Sequence, residues 1–330
     1  MRMKTYVVAL DVGGTAMKGG LVTSSGEVLL SDRRATPRSE GPARVVEAIR
    51  EFIDDLAAAG DGPPAGVGVA VPGLVTADAA LYAANIGWKD VPAAEFTTLD
   101  VPVRLGHDVR TGGLAESVVG AGRSERDFLF LSIGTGIAGA IIVGGTPYGG
   151  SAGWGGEIGH IPVLPEGERC ACGQIGCLET YASAASVARR YAERTSRTAS
   201  TRPPASREVT PATAEDVVSL AMTGDRDAAA VWDEALEALS LALASYTLLL
   251  DPSSIVLGGG LSEAGPALFD PLAERLQEKL TWRTAPPLRP AALGTSAGML
   301  GAALLGLQAA GFPDPGATWK LDVLRPAPVP

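Results

Sequence analysis

One histidine and three cysteines form the densest group of metal-binding side chains in the sequence. His160 precedes Cys170, Cys172 and Cys177, and all four fall within about eighteen residues. Such a complete set of ligands suits a tetrahedral Zn²⁺ ion, and the absence of an open position predicts a structural site. The alternative is a set of reduced cysteines without metal. An odd number of cysteines this close together makes a poor disulfide framework.

A glycine-rich loop follows the apolar run 6–12 and could bind phosphate. The loop reads Asp11-Val-Gly13-Gly14-Thr15. Paired glycines let backbone N–H groups face an anion, Thr15 adds a hydroxyl donor, and Asp11 can hold Mg²⁺ through water. Taken alone, the motif could also be an ordinary hairpin turn. It is not a Walker loop, because no helix follows and the spacing to the next lysine is wrong.

Two further glycine loops also follow apolar runs. Gly134-Thr135-Gly136 follows the run 127–133, and the triplet 258–260 follows the run 254–257 and precedes a helical pattern. The open backbone of the triplet suits a flat base or a ribose. Each loop alone is weak evidence. Three of them at strand ends, in the order phosphate, phosphate and nucleoside, predict a nucleotide-binding protein.

The charge balance excludes two classes of partner. The net charge is −10 and no basic stripe is present, which predicts no binding to nucleic acid and no polybasic membrane surface. The longest apolar stretch, Leu239–Leu250, is interrupted by hydroxyl side chains and is too short to span a bilayer. The N-terminal residues run into the first glycine loop without a signal-peptide cleavage site. We therefore expect a cytoplasmic protein.

The apolar pattern predicts the elements that position these loops. Strands are predicted at 6–12, 19–23, 27–30, 66–71, 101–105, 127–133, 137–143, 254–257 and 289–293. Helices are predicted at 42–60, 108–116, 182–194, 214–222, 227–250, 266–280 and 296–310. Two rounds of strand hairpin followed by alternating helix and strand predict an internally duplicated α/β fold. Segments 195–211 and 312–330 have the composition of loop or disorder.

Together these motifs resemble those of the ROK family of sugar kinases and related repressors, in the actin-like ATPase superfamily. Residues 11–15 resemble the family's first phosphate motif, 134–136 its second, and 258–260 its adenosine motif. The stretch from Leu131 follows the family signature of spaced glycines and ends in Glu157-Ile-Gly-His160. The resemblance covers the chain from Tyr6 to about Ala310.

This resemblance implies a duplicated ribonuclease-H-like (actin-like ATPase) α/β fold of two lobes with an interlobe cleft. The small lobe would comprise 1–120 and be closed by the C-terminal helix at about 296–310. The large lobe, 121–295, would carry the zinc site and the adenosine motif, and 312–330 would be a Pro-rich tail. Relatives are commonly homodimers or homotetramers, so the same is expected here.

The resemblance also implies ATP-dependent phosphorylation of a hexose or amino-hexose at the 6-hydroxyl, with Mg²⁺ and a structural Zn²⁺ as cofactors. Asp108 resembles the family's catalytic base, although an aspartate that opens a helix can equally be an N-cap. ATP and Mg²⁺ would be bound by Asp11, Gly13, Gly14, Thr15, Lys18, Gly134, Thr135, Gly136, Gly258, Gly259 and Gly260. The sugar would be bound by Gly73, Asn85, His107, Asp108, Glu157, His160 and Glu179. Asn85 could instead form a turn.

The residue before Asp108 departs from the family pattern. Most glucose-phosphorylating relatives have asparagine there, at a position that contacts the sugar near carbons 3 and 4, and this chain has His107. A neutral imidazole presents one donor and one acceptor. We therefore expect a substrate that differs from glucose at that end, such as an amino sugar or an epimer.

A sugar-responsive regulator of the ROK type without kinase turnover is the alternative function. ROK repressors share the sugar and zinc motifs but carry an N-terminal helix-turn-helix, whereas here the first phosphate strand begins within about six residues. The acidic charge also disfavours DNA. The intact Asp11, Gly13, Gly14, Thr15 and Asp108 favour the kinase.

Overall fold

The computed structural model describes residues 4–199 and 212–321, and the chain divides into two compact units. The first unit comprises the residues up to 126, the segment 140–155 and the residues from 292 onward. The second unit comprises 127–139 and 156–291.

Thirteen strands and eight α-helices occur in the described residues. The strands are β1 (Tyr6–Val12), β2 (Ala16–Thr23), β3 (Val28–Ala35), β4 (Val67–Val71), β5 (Leu74–Val75), β6 (Ala79–Ala83), β7 (Trp88–Pro92), β8 (Val103–His107), β9 (Phe128–Ile133), β10 (Ile137–Val143), β11 (Thr146–Tyr148), β12 (Ser254–Gly258) and β13 (Leu288–Pro290). The helices are α1 (Pro42–Ala58), α2 (Asp108–Val118), α3 (Glu179–Ala182), α4 (Ala184–Ala199), α5 (Ala214–Met222), α6 (Arg226–Leu250), α7 (Pro266–Lys279) and α8 (Ala297–Ala309).

The first unit is built on a five-stranded sheet of order β3-β2-β1-β4-β8. β1 pairs antiparallel with β2 and parallel with β4, which in turn pairs parallel with β8. Alternate residues of β1 pack on opposite faces, as a strand covered on both sides requires. Val8 and Leu10 join a core cluster with Phe52 of α1, whereas Val7 and Ala9 join a second cluster with the apolar helix α8.

The second unit contains parallel strands packed with helices. β12 lies between β9 and β13 and pairs parallel with both. The long helix α6 packs against α3, α4, α5 and α7, and buries Val231, Leu239 and Leu243. A separate three-stranded sheet, β5-β6-β7, lies in the first unit and was not predicted from the sequence.

Most predicted elements agree with the structure to within a few residues, and the differences have local causes. β3 continues to Ala35 instead of ending at residue 30, because its second half is polar and exposed and carries no apolar pattern. α4 continues to Ala199, so residues 195–199 are helical rather than the predicted loop. Residues 200–211 lie outside the described part of the chain. β13 covers only three residues, because Pro290 cannot donate to a sheet ladder. Within 4–199 and 212–321, no helix is both long and apolar enough to cross a membrane.

The start of the C-terminal segment, predicted as loop or disorder, packs against the first unit. Trp319 is completely buried and joins the core cluster around α8. Its indole Nε1 donates to the carbonyl of Ser24 at 3.0 Å. The ring lies over Gly26, whose φ of +90° and lack of a Cβ atom allow this close approach. Phe312 and Leu321 of the same segment also pack against this cluster, while 322–330 lie outside the description.

Replacing Trp319 by alanine is expected to lower the free energy of unfolding by about 3–5 kcal/mol, the usual cost of removing a buried aromatic ring. Trp282 is 76% exposed and provides the matched control. Its replacement by alanine should change stability by less than about 0.5 kcal/mol. Urea unfolding measures both values, and equal stability of the two variants would show that the tail does not contribute to the core.

Candidate active site

Three parallel strands of the first unit end at one edge of the sheet with predicted site residues. Asp11 is the penultimate residue of β1, Gly73 follows β4, and His107 ends β8 immediately before Asp108. The register aligns Asp11 with Ala70 of β4, and Val71 of β4 with His107. The carboxyl ends of parallel strands are the usual place for ligands in α/β folds.

The first phosphate loop is a tight turn held from outside by a threonine. Gly13 N–H donates to the carbonyl of Ala16 at 3.0 Å, which closes the turn. The hydroxyl of Thr36 donates to the carbonyl of Gly13 at 2.7 Å, and its N–H donates to the carbonyl of Thr15 at 3.1 Å. Thr36 is buried. The loop therefore has a fixed shape before any ligand binds.

Two side chains with N–H groups lie beside Gly14 of the same loop. A Cβ atom on Gly14 would lie 3.8 Å from Nδ2 of Asn85 and 4.0 Å from a guanidinium nitrogen of Arg38. Asn85 was predicted to bind the sugar, and the structure brings it beside the phosphate loop. Gly73, with φ +90°, packs against the backbone of Tyr82 in β6. Sequence reasoning missed Arg38, because nothing in its spacing links it to the loop.

Asp11 lies against the amino-terminal end of α8. A Cβ atom on Gly298 would collide with its carboxylate, so only glycine fits there. Burial raises the pKa of Asp11 to about 6, and the positive charge of Lys18 partly opposes the rise. Lys18 is the cross-strand partner of Asp11, and its Nζ donates to the carbonyl of Thr295 at 3.2 Å. A surface cavity of about 380 Å³ opens beside Lys18.

Replacing Asp11 by asparagine is expected to stabilise the ligand-free protein by about 2 kcal/mol near pH 8. The folded-state pKa of about 6 lies above the ordinary 3.8, so the folded state binds the proton more tightly than the unfolded state. That stabilisation is complete below about pH 4 and is lost as the pH rises through about 6. The difference between variant and wild type should therefore vanish near pH 4. Urea unfolding at the two pH values checks this, and no difference near pH 8 would contradict it.

The structure places His107, not Asp108, at the N-cap of α2. The Nδ1 atom of His107 accepts from the N–H of Arg110 at 3.4 Å, while Asp108 is the first helical residue. The alternative reading of Asp108 as the N-cap is therefore wrong, because the chain enters the helix one residue earlier. Asp108 Oδ1 accepts from Val109 N–H at 2.7 Å, which orients the carboxylate.

His107 is a neutral imidazole near neutral pH. It is 7% exposed, and burial lowers its pKa to about 3, with a further contribution from the charge of Arg110. Nδ1 also lies 3.2 Å from Oδ1 of Asp108. The side chain therefore brings an N–H donor to the start of α2 at any pH near neutrality.

Arg110 anchors the glycine-rich segment that precedes Glu157. Its Nη1 donates to the carbonyls of Gly153 at 2.7 Å and Gly155 at 3.1 Å. Gly153 has φ +81°, so the segment turns sharply where it is held. Sequence reasoning did not select Arg110. Its position two residues after Asp108, on the first turn of α2, is the signal that could have found it.

In the second unit, Glu179 lies beneath the second phosphate loop. Its Oε2 accepts from the N–H of Ile137 at 2.8 Å, and a Cβ atom on Gly136 would lie 2.5 Å from the same oxygen. A Cβ atom on Gly134 would meet nothing within 4 Å, so this backbone is open to a ligand. Glu179 was predicted to bind the sugar. In the structure, its carboxylate accepts a hydrogen bond from the residue that follows the second phosphate loop.

The glycine triplet at the end of β12 packs directly beside the second phosphate loop. A Cβ atom on Gly259 would lie 2.5 Å from the carbonyl oxygen of Ile133, the residue before that loop. Gly259 has φ +82°, a conformation that strongly favours glycine. A Cβ atom on Gly260 would meet nothing within 4 Å. The second phosphate motif and the predicted adenosine motif thus share one edge of β9 and β12.

The four predicted zinc ligands converge in the second unit. The ligand atoms of His160, Cys170, Cys172 and Cys177 all lie within 4.8 Å of one another. The sulfurs of Cys172 and Cys177 are 3.7 Å apart, and the sulfur of Cys170 is 3.8 Å from Nδ1 of His160. Zn–S bonds of about 2.3 Å in a tetrahedron place neighbouring sulfurs about 3.8 Å apart. The residues therefore fit a tetrahedral zinc ion.

The loop that bears these ligands is tied to the rest of the second unit. Leu178 N–H donates to the carbonyl of Ile161 at 2.9 Å, which brings the backbones next to His160 and Glu179 together. Glu168 forms ion pairs with Arg189 and Arg190 of α4. The N-terminal part of α4 thus supports the ligand loop from one side.

Comparison with known proteins gives matches over most of the chain. The model of the ROK family matches residues 7–309. A glucokinase from Halalkalibacterium halodurans is 33% identical, over 90% of this chain and 93% of its own length. An N-acetyl-D-glucosamine kinase from Escherichia coli O6:H1 is 31% identical, over 90% of this chain and 98% of its own.

A solved structure is similar over nearly the same extent. It is the crystal structure of a ROK family glucokinase from Streptomyces griseus in complex with glucose and AMPPNP, with a TM-score of 0.78. It is 30% identical and covers 92% of this chain and 99% of that one. The two glycine-loop strand pairs and these matches define an α/β protein of the actin-like ATPase fold. The chain belongs to the ROK family. The family and the α/β fold class predicted from the motifs are confirmed.

Proposed function

We propose that this chain, an ATP-dependent sugar kinase of the ROK family, phosphorylates the 6-hydroxyl of a hexose or amino-hexose with Asp108 as general base. The observation that carries the proposal is the placement of Asp108. It follows β8 at the same sheet edge where β1 runs into the first phosphate loop. A carboxylate there can accept the hydroxyl proton while the sugar oxygen attacks phosphorus.

On this proposal, the phosphate loops position the donor. Backbone N–H groups of the loops 13–15 and 134–136 would bind the phosphates, Lys18 would add a positive charge, and the triplet 258–260 would accommodate the nucleoside. Mg²⁺, when bound, neutralises charge on the phosphate oxygens, and Asp11 would hold it through water. The close packing of Gly298 and Thr36 keeps Asp11 and the first loop in place.

The zinc ion is proposed to be structural. His160 and the three cysteines fill all four tetrahedral positions, so none remains for catalysis. Its role would be to fix the loop that carries His160 and Glu157, both proposed sugar ligands. Because Nδ1 of His160 faces the sulfur of Cys170, Nε2 would serve the sugar.

The sugar is proposed to differ from glucose at carbon 3 or 4, or to be an amino-hexose. Support comes from His107, whose neutral imidazole presents one hydrogen-bond donor and one acceptor beside Asp108. One relative is named a glucokinase and another an N-acetyl-D-glucosamine kinase, so neutral hexoses and amino-hexoses are both candidate substrates. A pocket that forms a hydrogen bond to a particular group strongly rejects analogues that lack that group.

A coupled assay of ADP release with a panel of hexoses tests the substrate proposal. The panel comprises glucose, its 3- and 4-epimers, mannose, glucosamine, N-acetylglucosamine and N-acetylmannosamine. We expect sugar-dependent ADP release, with the highest kcat/KM for an amino sugar or an epimer rather than for glucose. His107→Asn should shift the ratio of kcat/KM values toward glucose by about 10-fold or more. Glucose as the best substrate of the wild type would contradict the assignment to His107.

We also propose a cytoplasmic homodimer or homotetramer. The reduced cysteines that zinc requires are compatible with a reducing compartment. Analytical ultracentrifugation tests the assembly, and a monomer at micromolar concentration would contradict it.

A further inference from the structure

A short 3₁₀ turn, Arg38–Glu40, carries an arginine to the open side of the first phosphate loop. A guanidinium nitrogen of Arg38 and the amide nitrogen of Asn85 lie 4.0 and 3.8 Å from where a Cβ atom on Gly14 would stand. Both nitrogens are thus at van der Waals distance from the position of that Cβ atom. N–H donors from two separate segments therefore border the same side of the loop.

The segment that bears Arg38 is fixed to the loop rather than merely close to it. Thr36, two residues earlier, makes two hydrogen bonds to the loop, to the carbonyls of Gly13 and Thr15. The N–H of Arg38 in turn donates to the carbonyl of Thr36 at 2.8 Å. The position of the arginine backbone is therefore set by the phosphate loop itself.

Three arginines near Arg38 in the chain are neutralised by carboxylates. Arg34, Arg44 and Arg50 each pair with a carboxylate: Asp55, Glu51 and Glu95 respectively. Within residues 4–199 and 212–321, the Arg38 guanidinium makes no ion pair or hydrogen bond. Glu40, the nearest acidic residue along the chain, lies 3.9 Å from Arg44 instead. A guanidinium fixed beside a phosphate loop and not neutralised by a carboxylate is available for an anionic ligand.

We propose that Arg38 is a further catalytic residue, which binds the phosphoryl group during its transfer; this inference rests on the proposed function. In the transfer, the sugar oxygen forms a bond to phosphorus as the bond to the bridging oxygen of ADP breaks, and the hydroxyl proton passes to Asp108. Arg38 forms and breaks no covalent bond. Its planar N–H groups match two oxygens of the phosphoryl group, where charge is spread in the transition state. Asn85 donates to the same group from the other side.

Steady-state kinetics of Arg38→Gln, Arg38→Lys and the control Arg44→Gln test the proposal. We expect Arg38→Gln to lower kcat/KM about 100-fold. The loss of one hydrogen-bond donor to the negative charge of a transition state has an effect of about this size. Arg38→Lys should retain part of the rate, because it keeps the charge but loses the paired donors. Arg44→Gln should stay within about 2-fold of wild type, since Arg44 is held by glutamates. Guanidinium ion should restore part of the activity of Arg38→Ala, which a merely structural role would not allow.

Calorimetric binding separates failure of this inference from failure of the proposed function. Arg38→Gln should bind AMPPNP about 10-fold more weakly than wild type but bind ADP equally well, because only AMPPNP carries the third phosphoryl group. An active wild type with Arg38→Gln within 3-fold of its kcat/KM would overturn the role of Arg38. A wild type that turns over no sugar would instead overturn the proposed function. In that case, equal AMPPNP affinity of wild type and variant would overturn the inference as well.

Discussion

Replacing Asp108 by asparagine is expected to lower kcat about 1,000-fold while leaving the fold intact. Loss of a positioned general base lowers the reaction rate by a factor of about 10² to 10⁴. Asparagine has nearly the same shape, and its carbonyl oxygen can still accept from Val109 N–H, which holds the side chain at 2.7 Å in the wild type. The helix should also persist, because His107 and not Asp108 caps α2. KM for ATP should change little.

The matched control is Asp100→Asn. Asp100 lies in the loop before β8 of the same unit, and its side chain is exposed. Its kcat should stay within about 2-fold of wild type, as is usual for surface substitutions away from a site. Thermal unfolding of both variants separates chemistry from stability. Turnover of Asp108→Asn within 10-fold of wild type would show that another group removes the proton.

Loss of the metal is expected to have the second large effect. Wild-type protein should contain about one zinc per chain, and Cys177→Ala should contain less than about one tenth of that, because a structural site needs all four ligands. The free energy of unfolding should fall by about 4 kcal/mol or more, since metal binding contributes directly to folding. KM for the sugar should rise more than KM for ATP, because His160 lies on the loop that zinc fixes.

The control for this variant is Gln174→Ala, within the same loop. Gln174 donates to the sulfur of Cys172 at 3.6 Å but is not one of the four ligands, so zinc content should be unchanged. Plasma mass spectrometry measures the metal, and urea unfolding measures stability. A zinc-free wild type, or a Cys177→Ala variant with wild-type affinity for sugar, would contradict a structural zinc site.

The sequence predicted the bounds of β1, β4 and β9 well because burial in a sheet covered on both faces leaves a clear local pattern. The apolar runs that became β1, β4 and β9 are hydrophobic at nearly every position, as strands covered on both faces must be. The glycines that follow them were equally readable, because close approach of backbone to ligand or backbone restricts the residue type. The compact cysteine cluster was readable for a similar reason: its four ligands are close in sequence as well as in space.

The features that were missed depend on contacts between residues distant in sequence. Nothing local indicates that Glu179 would accept from Ile137, or that Asn85 would lie beside Gly14. The N-cap of α2 was misplaced because the choice between His107 and Asp108 depends on the exact residue at which the helix begins. The burial of Trp319 was missed because it lies in a Pro-rich segment, a composition that usually marks disorder.

In the proposed reaction, the γ-phosphoryl group of ATP moves to a primary sugar hydroxyl. The most direct test is to incubate wild-type protein with ATP, Mg²⁺ and the best sugar of the panel, and to identify the product by ³¹P and ¹³C NMR. The account predicts one sugar monophosphate, phosphorylated at carbon 6, formed in equal amount with ADP. Phosphate at another carbon, or ADP release that does not depend on the sugar, would contradict it.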